Sequence, residues 1–134
     1  MKEESKKWLK VAEEDFEMMN LAWKNHKYAH TILFAQQSVE KIIKTYIIEH
    51  SKKPPRKIHA IEELVKDAKI DLKEIGNPDV KNLSLGFVRV RYPDLSKKYF
   101  ESRKDVEKLY IMAEKIFLWI KQKLKKIEKY MSTG

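Results

Sequence analysis

The sequence predicts an all-α protein, an up-and-down bundle of four main helices with one short extra helix. Three observations carry that reading. Apolar residues recur every three or four positions along most of the chain, the period of a buried helix face. The most apolar stretch, Tyr28–His50, runs for 23 residues without a Gly or Pro. The one segment that alternates loosely, residues 86–91, has no convincing second strand to pair with.

Taken in order, Ser5 stands where the N-cap of a first helix belongs. Leu9, Ala12, Phe16, Met19 and Trp23 follow at steps of three and four, while Glu13, Glu14, Asp15 and Glu17 make a solvated face. Asn25 and His26 mark a turn so short that the first two helices must lie antiparallel. The central helix places Ile32, Ala35, Val39, Ile42 and Tyr46 on one stripe, widened by Leu33, Ile43 and Ile47. At 1.5 Å per residue it makes a rod of roughly 35 Å. Gln36, Glu40 and Lys44 line another of its faces, with Glu40 four residues before Lys44 in the favourable order for an ion pair. For Glu40, Lys41 and Lys44 an exposed, ion-paired stripe is the expectation, and a groove between subunits is the alternative.

Residues 51–57, SKKPPRK, interrupt the helical pattern, because two consecutive prolines cannot continue a helix. Ile58, Ile61, Leu64, Val65 and Ala68 predict a short third helix opened by His59. Gly76, Asn77 and Pro78 place a loop over 70–79, with Asp79 as a cap for the next helix. Val80, Leu83, Phe87 and Val90 predict that helix over 80–90, and Pro93 is expected to end the element. The last helix, over 102–130, carries Val106, Leu109, Ala113, Ile116, Ile120, Leu124 and Ile127 as its seam. Its large side chains, at about 1.5–3 kcal/mol each when fully buried, suffice to dock it.

At 134 residues with no internal repeat, the chain is read as one domain, 1–134, able to bury a core without staples. The absence of cysteine excludes disulfides, thiolate chemistry and Cys-ligated zinc. No apolar run approaches a membrane span and MKEESKKW lacks the core of a signal peptide, so a soluble cytoplasmic protein with no membrane partner is expected. Heavy use of Lys, Glu and Ile matches proteins of hot-growing organisms, a thermophile bias. The net charge of +9 is uneven: residues 1–50 hold 8 basic and 8 acidic side chains, residues 51–134 hold 21 and 12. A basic half beside a neutral one suits an anionic partner, and a Lys-rich solubilising surface is the competing reading.

The most pointed local feature is Arg89-Val90-Arg91-Tyr92-Pro93-Asp94. The planar fork of an arginine fits phosphate, Tyr92 offers a stacking surface, and Asp94 can lock an arginine or cap a turn. The corner is therefore either a phosphate or nucleic-acid patch or an Arg–Asp brace. His26 and His30, four apart, lack a third metal ligand in sequence. His50 suits the negative end of the central helix. His59 reads as a local hydrogen-bonding residue, with ligand binding second. There is no Gly-rich phosphate loop, no Gly-x-Ser-x-Gly and no carboxylate ladder, so neither metal nor cofactor is assigned.

Three stretches together resemble the HEPN domain family, in its small stand-alone form. They are Phe34-Ala35-Gln36-Gln37-Ser38-Val39-Glu40-Lys41-Ile42-Ile43-Lys44, then His59 with Leu64 (Ile61 stands where the family usually has Leu), and Arg91-Tyr92-Pro93-Asp94. The resemblance implies a helical up-and-down bundle, commonly a homodimer, and frequent pairing with a minimal nucleotidyltransferase in two-gene systems of the toxin–antitoxin kind. Many relatives are metal-independent ribonucleases using Arg-x(4–6)-His. Here no histidine follows Arg89, Arg91 or Arg103, and Arg56 precedes His59 by only three residues.

The leading expectation is a non-catalytic nucleotide- or RNA-binding module, with Arg89, Arg91, Tyr92, Asp94, His59 and Lys44 as candidate phosphate-binding residues and none catalytic. The alternative is a ribonuclease with a displaced site around Arg91, Tyr92 and His59. A third reading is a nucleotide-binding or scaffold protein whose charge serves solubility. A homodimer is also expected, because Met18, Leu33, Ile43, Ile47, Ile111 and Leu118 exceed what one small bundle covers.

Overall fold

The computed structural model describes the backbone of residues 1–133 and the side chains of residues 1–126. It holds six α-helices: α1 (Glu3–Lys24), α2 (Tyr28–His50), α3 (Ile61–Ala68), α4 (Val80–Arg89), α5 (Pro93–Phe100) and α6 (Arg103–Thr133), with a 3-10 turn at Leu72–Ile75 between α3 and α4. No strand occurs among the described residues. α2 packs against all five other helices. Twelve of its 23 residues are buried, so it is the hub of the core rather than one wall of it.

The turn between α1 and α2 is held by chain geometry, not composition. His26 adopts a left-handed backbone at φ 57°, its N–H donates to the Trp23 carbonyl, and the Lys27 N–H reaches back to the Ala22 carbonyl. That pair of bonds satisfies the orphan carbonyls of a helix end. The hairpin is then tied by Asp15 and Lys41 at 2.5 Å. On the other flank Phe16 of α1 stacks on Phe117 of α6 at 4.1 Å, and the Tyr110 hydroxyl donates to the Asn20 side chain.

Several local expectations are corrected. α1 starts at Glu3, so Ser5 lies inside the helix, buried and capping nothing. Asp79 occupies the N-cap position of α4 without a capping side-chain bond. Helix three begins at Ile61, leaving Ile58 and His59 in the approach to it. Pro93 ends nothing: it opens α5 as a first-turn residue, where its missing N–H is no loss. The helix over 93–100 is therefore one that periodicity does not announce, and it is a second short helix where one was expected. Ser102 stands just before α6 and exchanges hydrogen bonds with Asp105 at 3.3 and 3.4 Å, a reciprocal cap. The seam of α6 is buried from Val106 to Leu124, while Ile127 lies outside the described side chains. No described helix is long and apolar enough to cross a membrane.

A stacked column and a buried carboxylate form the candidate site

The site is assembled where α4 crosses α2. Gly86 permits the crossing: a Cβ there would stand 2.7 Å from Cγ2 of the buried Ile32. The approach to α3 is fixed at the same place. The Ile61 N–H donates to the Ser84 hydroxyl at 2.7 Å, and that hydroxyl donates to Glu62, so a serine of α4 caps α3. With the Gln36 amide donating to the His59 carbonyl at 3.2 Å, residues 59–61 are pinned between α2 and α4.

His59 and Phe87 consequently stack at 4.1 Å with planes 18° apart. The Arg91 guanidinium lies 3.9 Å from the centre of the same Phe87 ring. Two flat groups that close to one centre would overlap on a shared face, so Phe87 is sandwiched, imidazole on one side and guanidinium on the other. Nearby, Arg89 lies 3.9 Å over Tyr99 and donates to Asn82 at 3.3 Å. Among the described residues neither arginine pairs with a carboxylate, and Asp94 pairs with no cation. The Arg–Asp brace is therefore not formed. Cation–π contact holds each guanidinium against a ring and uses none of its N–H donors. Tyr92 precedes α5 and is 59% exposed.

Beneath the column sits Glu40. Its Oε1 lies 2.8 Å from Nδ1 of His59 and 2.9 Å from the Gln36 amide nitrogen, and its Oε2 accepts from Lys44 at 3.1 Å. The expected exposed stripe is thus a buried polar ladder. Glu40 and Lys44 side chains are 9% and 7% exposed, and Gln36 is fully buried. His59, in the approach to α3, lies against Glu40 and the Trp8 indole of α1 lies near Lys44, leaving the buried ions to satisfy one another. An ionised carboxylate only accepts, so a neutral His59 carries its proton on Nδ1 and presents the Nε2 lone pair outward from a ring 53% exposed. The Gln36 Oε1 is buried without a hydrogen-bond partner. Turning the amide over would set oxygen against both Glu40 and the His59 carbonyl.

Of the expected residues, the structure joins His59 and Arg91 through Phe87, with Arg89 beside them. Lys44 is set apart, reached through the far oxygen of Glu40. Phe87, placed by the sequence on the apolar period of a helix, and Glu40, expected at the surface, are the connecting pieces. The signal for Glu40 was its position, with Gln36 and Lys44, on the most apolar helix of the chain. His26 faces the Tyr28 hydroxyl at 3.1 Å, and among the described residues no group of three metal-ligating side chains converges.

The HEPN domain family matches this chain over residues 5–124. The chain belongs to the HEPN family. Among solved structures, the crystal structure of TT1696 from Thermus thermophilus is similar to this HEPN chain at 22% identity, with a TM-score of 0.74 over 89% of this chain and 97% of that one. At that identity the likeness is one of fold. No curated protein matches the HEPN chain significantly.

Proposed function

We propose that this HEPN protein is a non-catalytic nucleotide- or RNA-binding module whose contact surface is the corner formed by Arg89, Arg91 and Tyr92. The observation that carries the reading is the pair of guanidiniums held 3.9 Å from the centres of the Phe87 and Tyr99 rings without a carboxylate partner among the described residues. Guanidiniums held in place without a counter-charge suit phosphate, and the exposed Tyr92 suits a base. As architecture we read α1, α2, α4 and α6 as the four rods of an up-and-down bundle.

The proposal includes a homodimer and a minimal nucleotidyltransferase partner in a toxin–antitoxin-like pair. The family resemblance supports both. For the dimer there are also large apolar side chains left exposed, including Met18, Leu21, Ile111 and Leu118. Ile43 and Ile47 do not contribute, because the chain itself covers them, and Leu33 is half-covered.

The ribonuclease alternative has one observation in its favour, a histidine oriented by a buried carboxylate. Against it, the Phe87 ring stands between that histidine and Arg91, so base and phosphate-stabilising group do not face one reacting centre. Binding of a 5′-hydroxyl single-stranded RNA, followed by fluorescence anisotropy across a salt series in EDTA, tests the reading. Affinity should fall steeply with salt, and Arg91→Ala should weaken it and lower the salt slope by about one phosphate contact. Cleavage of that RNA, lost on His59→Ala, would replace the binding reading with the catalytic one.

A further inference from the structure

A second basic site lies on the other side of Glu40. The loop over 51–57 folds back against the start of α1 and the last turns of α2, closing a cleft of about 420 Å³. That volume falls within the range of small-ligand sites. Its cations are of two kinds. Lys2 and Arg56 are engaged: the Lys2 ammonium donates to the Ile48 and Ser51 carbonyls at 2.8 and 3.1 Å, and Arg56 is gripped by Asp67 at 2.7 Å. Lys52, Lys53 and Lys57 have no side-chain hydrogen bond or ion pair among the described residues, and Glu4 is the one carboxylate on the wall.

Three unpaired ammonium groups on one short loop repel one another. The two prolines between them fix φ and limit how far the loop can open to relieve it. A multiply charged anion resolves that repulsion; a singly charged one does so only in part. The wall also carries Trp8, a half-buried indole whose ring lies 5.9 Å from the ammonium of the buried Lys44. An aromatic face beside a cluster of free lysines is the arrangement that takes a base and its phosphates together.

We propose that this cleft binds the oligophosphate end of a nucleotide, either free or at the 5′ end of an RNA, with the phosphates on Lys52, Lys53 and Lys57 and the base against Trp8. The site shares no ligand-contacting residue with the Arg89–Arg91 corner, so the two stand or fall separately.

The test is calorimetric titration at low ionic strength in EDTA with ATP, inorganic tripolyphosphate and a 5′-triphosphate RNA. All three should bind, with ATP tighter than tripolyphosphate. Lys52→Ala/Lys53→Ala/Lys57→Ala, confined to an exposed loop, should weaken each by roughly tenfold or more. Trp8→Leu should erase the advantage of ATP over tripolyphosphate. ATP binding as tightly as the RNA identifies the free nucleotide as a source; RNA binding much tighter identifies the chain end. Wild-type affinity in the triple variant, or no phosphate binding by the wild type, overturns the proposal. In Arg89→Ala/Arg91→Ala the triphosphate affinity should persist while that for 5′-hydroxyl RNA falls, which separates a failure here from a failure at the corner.

Discussion

Replacing Glu40 by Ala removes the one acceptor shared by His59, Gln36 and Lys44. Lys44 is then left as a cation with a side chain only 7% exposed and no counter-charge. Breaking a buried pair from one side costs about 3–5 kcal/mol. Lys44 lines the 51–57 cleft and can turn its ammonium toward water there, so the low end applies, about 3 kcal/mol. With a urea m-value of about 1–3 kcal/mol/M, the unfolding midpoint should fall by about 1–3 M at unchanged m. The double variant Glu40→Leu/Lys44→Met replaces both ions by apolar groups of similar volume and should recover at least about 2 kcal/mol of that loss. Urea unfolding followed by circular dichroism measures both. A cost below about 1 kcal/mol for Glu40→Ala, the value of a solvent-screened surface pair, would refute the buried ladder.

Three further outcomes are expected from the same structure. Gly86→Ala gains about 1 kcal/mol of helix propensity but drives a methyl against the branched, buried Ile32, which costs about 1–3 kcal/mol. A net loss in urea melts is expected, and a stabilised variant would show that α4 can shift without cost. Burial alone would raise the Glu49 carboxyl, but the Lys2 N–H bond at 2.9 Å, with the Ser5 hydroxyl, the N-terminal ammonium and the Lys2 ammonium, outweighs it and holds the group below its ordinary 4.5. The stability this contributes is present above pH 4.5 and lost as pH falls through the depressed value, so the advantage of wild type over Glu49→Gln in thermal melts should vanish at the acid end. Tyr110→Phe, which loses the bond to Asn20 linking α6 to α1, should cost about 0.5–1.5 kcal/mol in the same melts.

Helix positions and the core were largely legible in the amino-acid order. The span of α2 and the buried seams from Ala12 to Met19, Ile32 to Ile47 and Val106 to Leu124 come from a 3.6-residue period that needs no knowledge of neighbours. The family could likewise be read from three short stretches in order. What periodicity does not encode is which polar face will be covered. Glu40 and Lys44 have the spacing of a surface pair, and only the tertiary packing that brings His59 and Trp8 against them makes them a buried ladder. Phe87 stood out only as part of a helix period, because its role depends on His59, 28 positions earlier, and on the close approach that Gly86 allows. Pro93 carries two opposite local meanings, helix stop and helix start, and the chain after it decided between them. Local order set which residues form helices, because hydrogen bonds four residues apart and an apolar stripe are properties of a single segment. Burial of charge and the stacking of distant rings are properties of several segments at once, and they exist only after the helices have met.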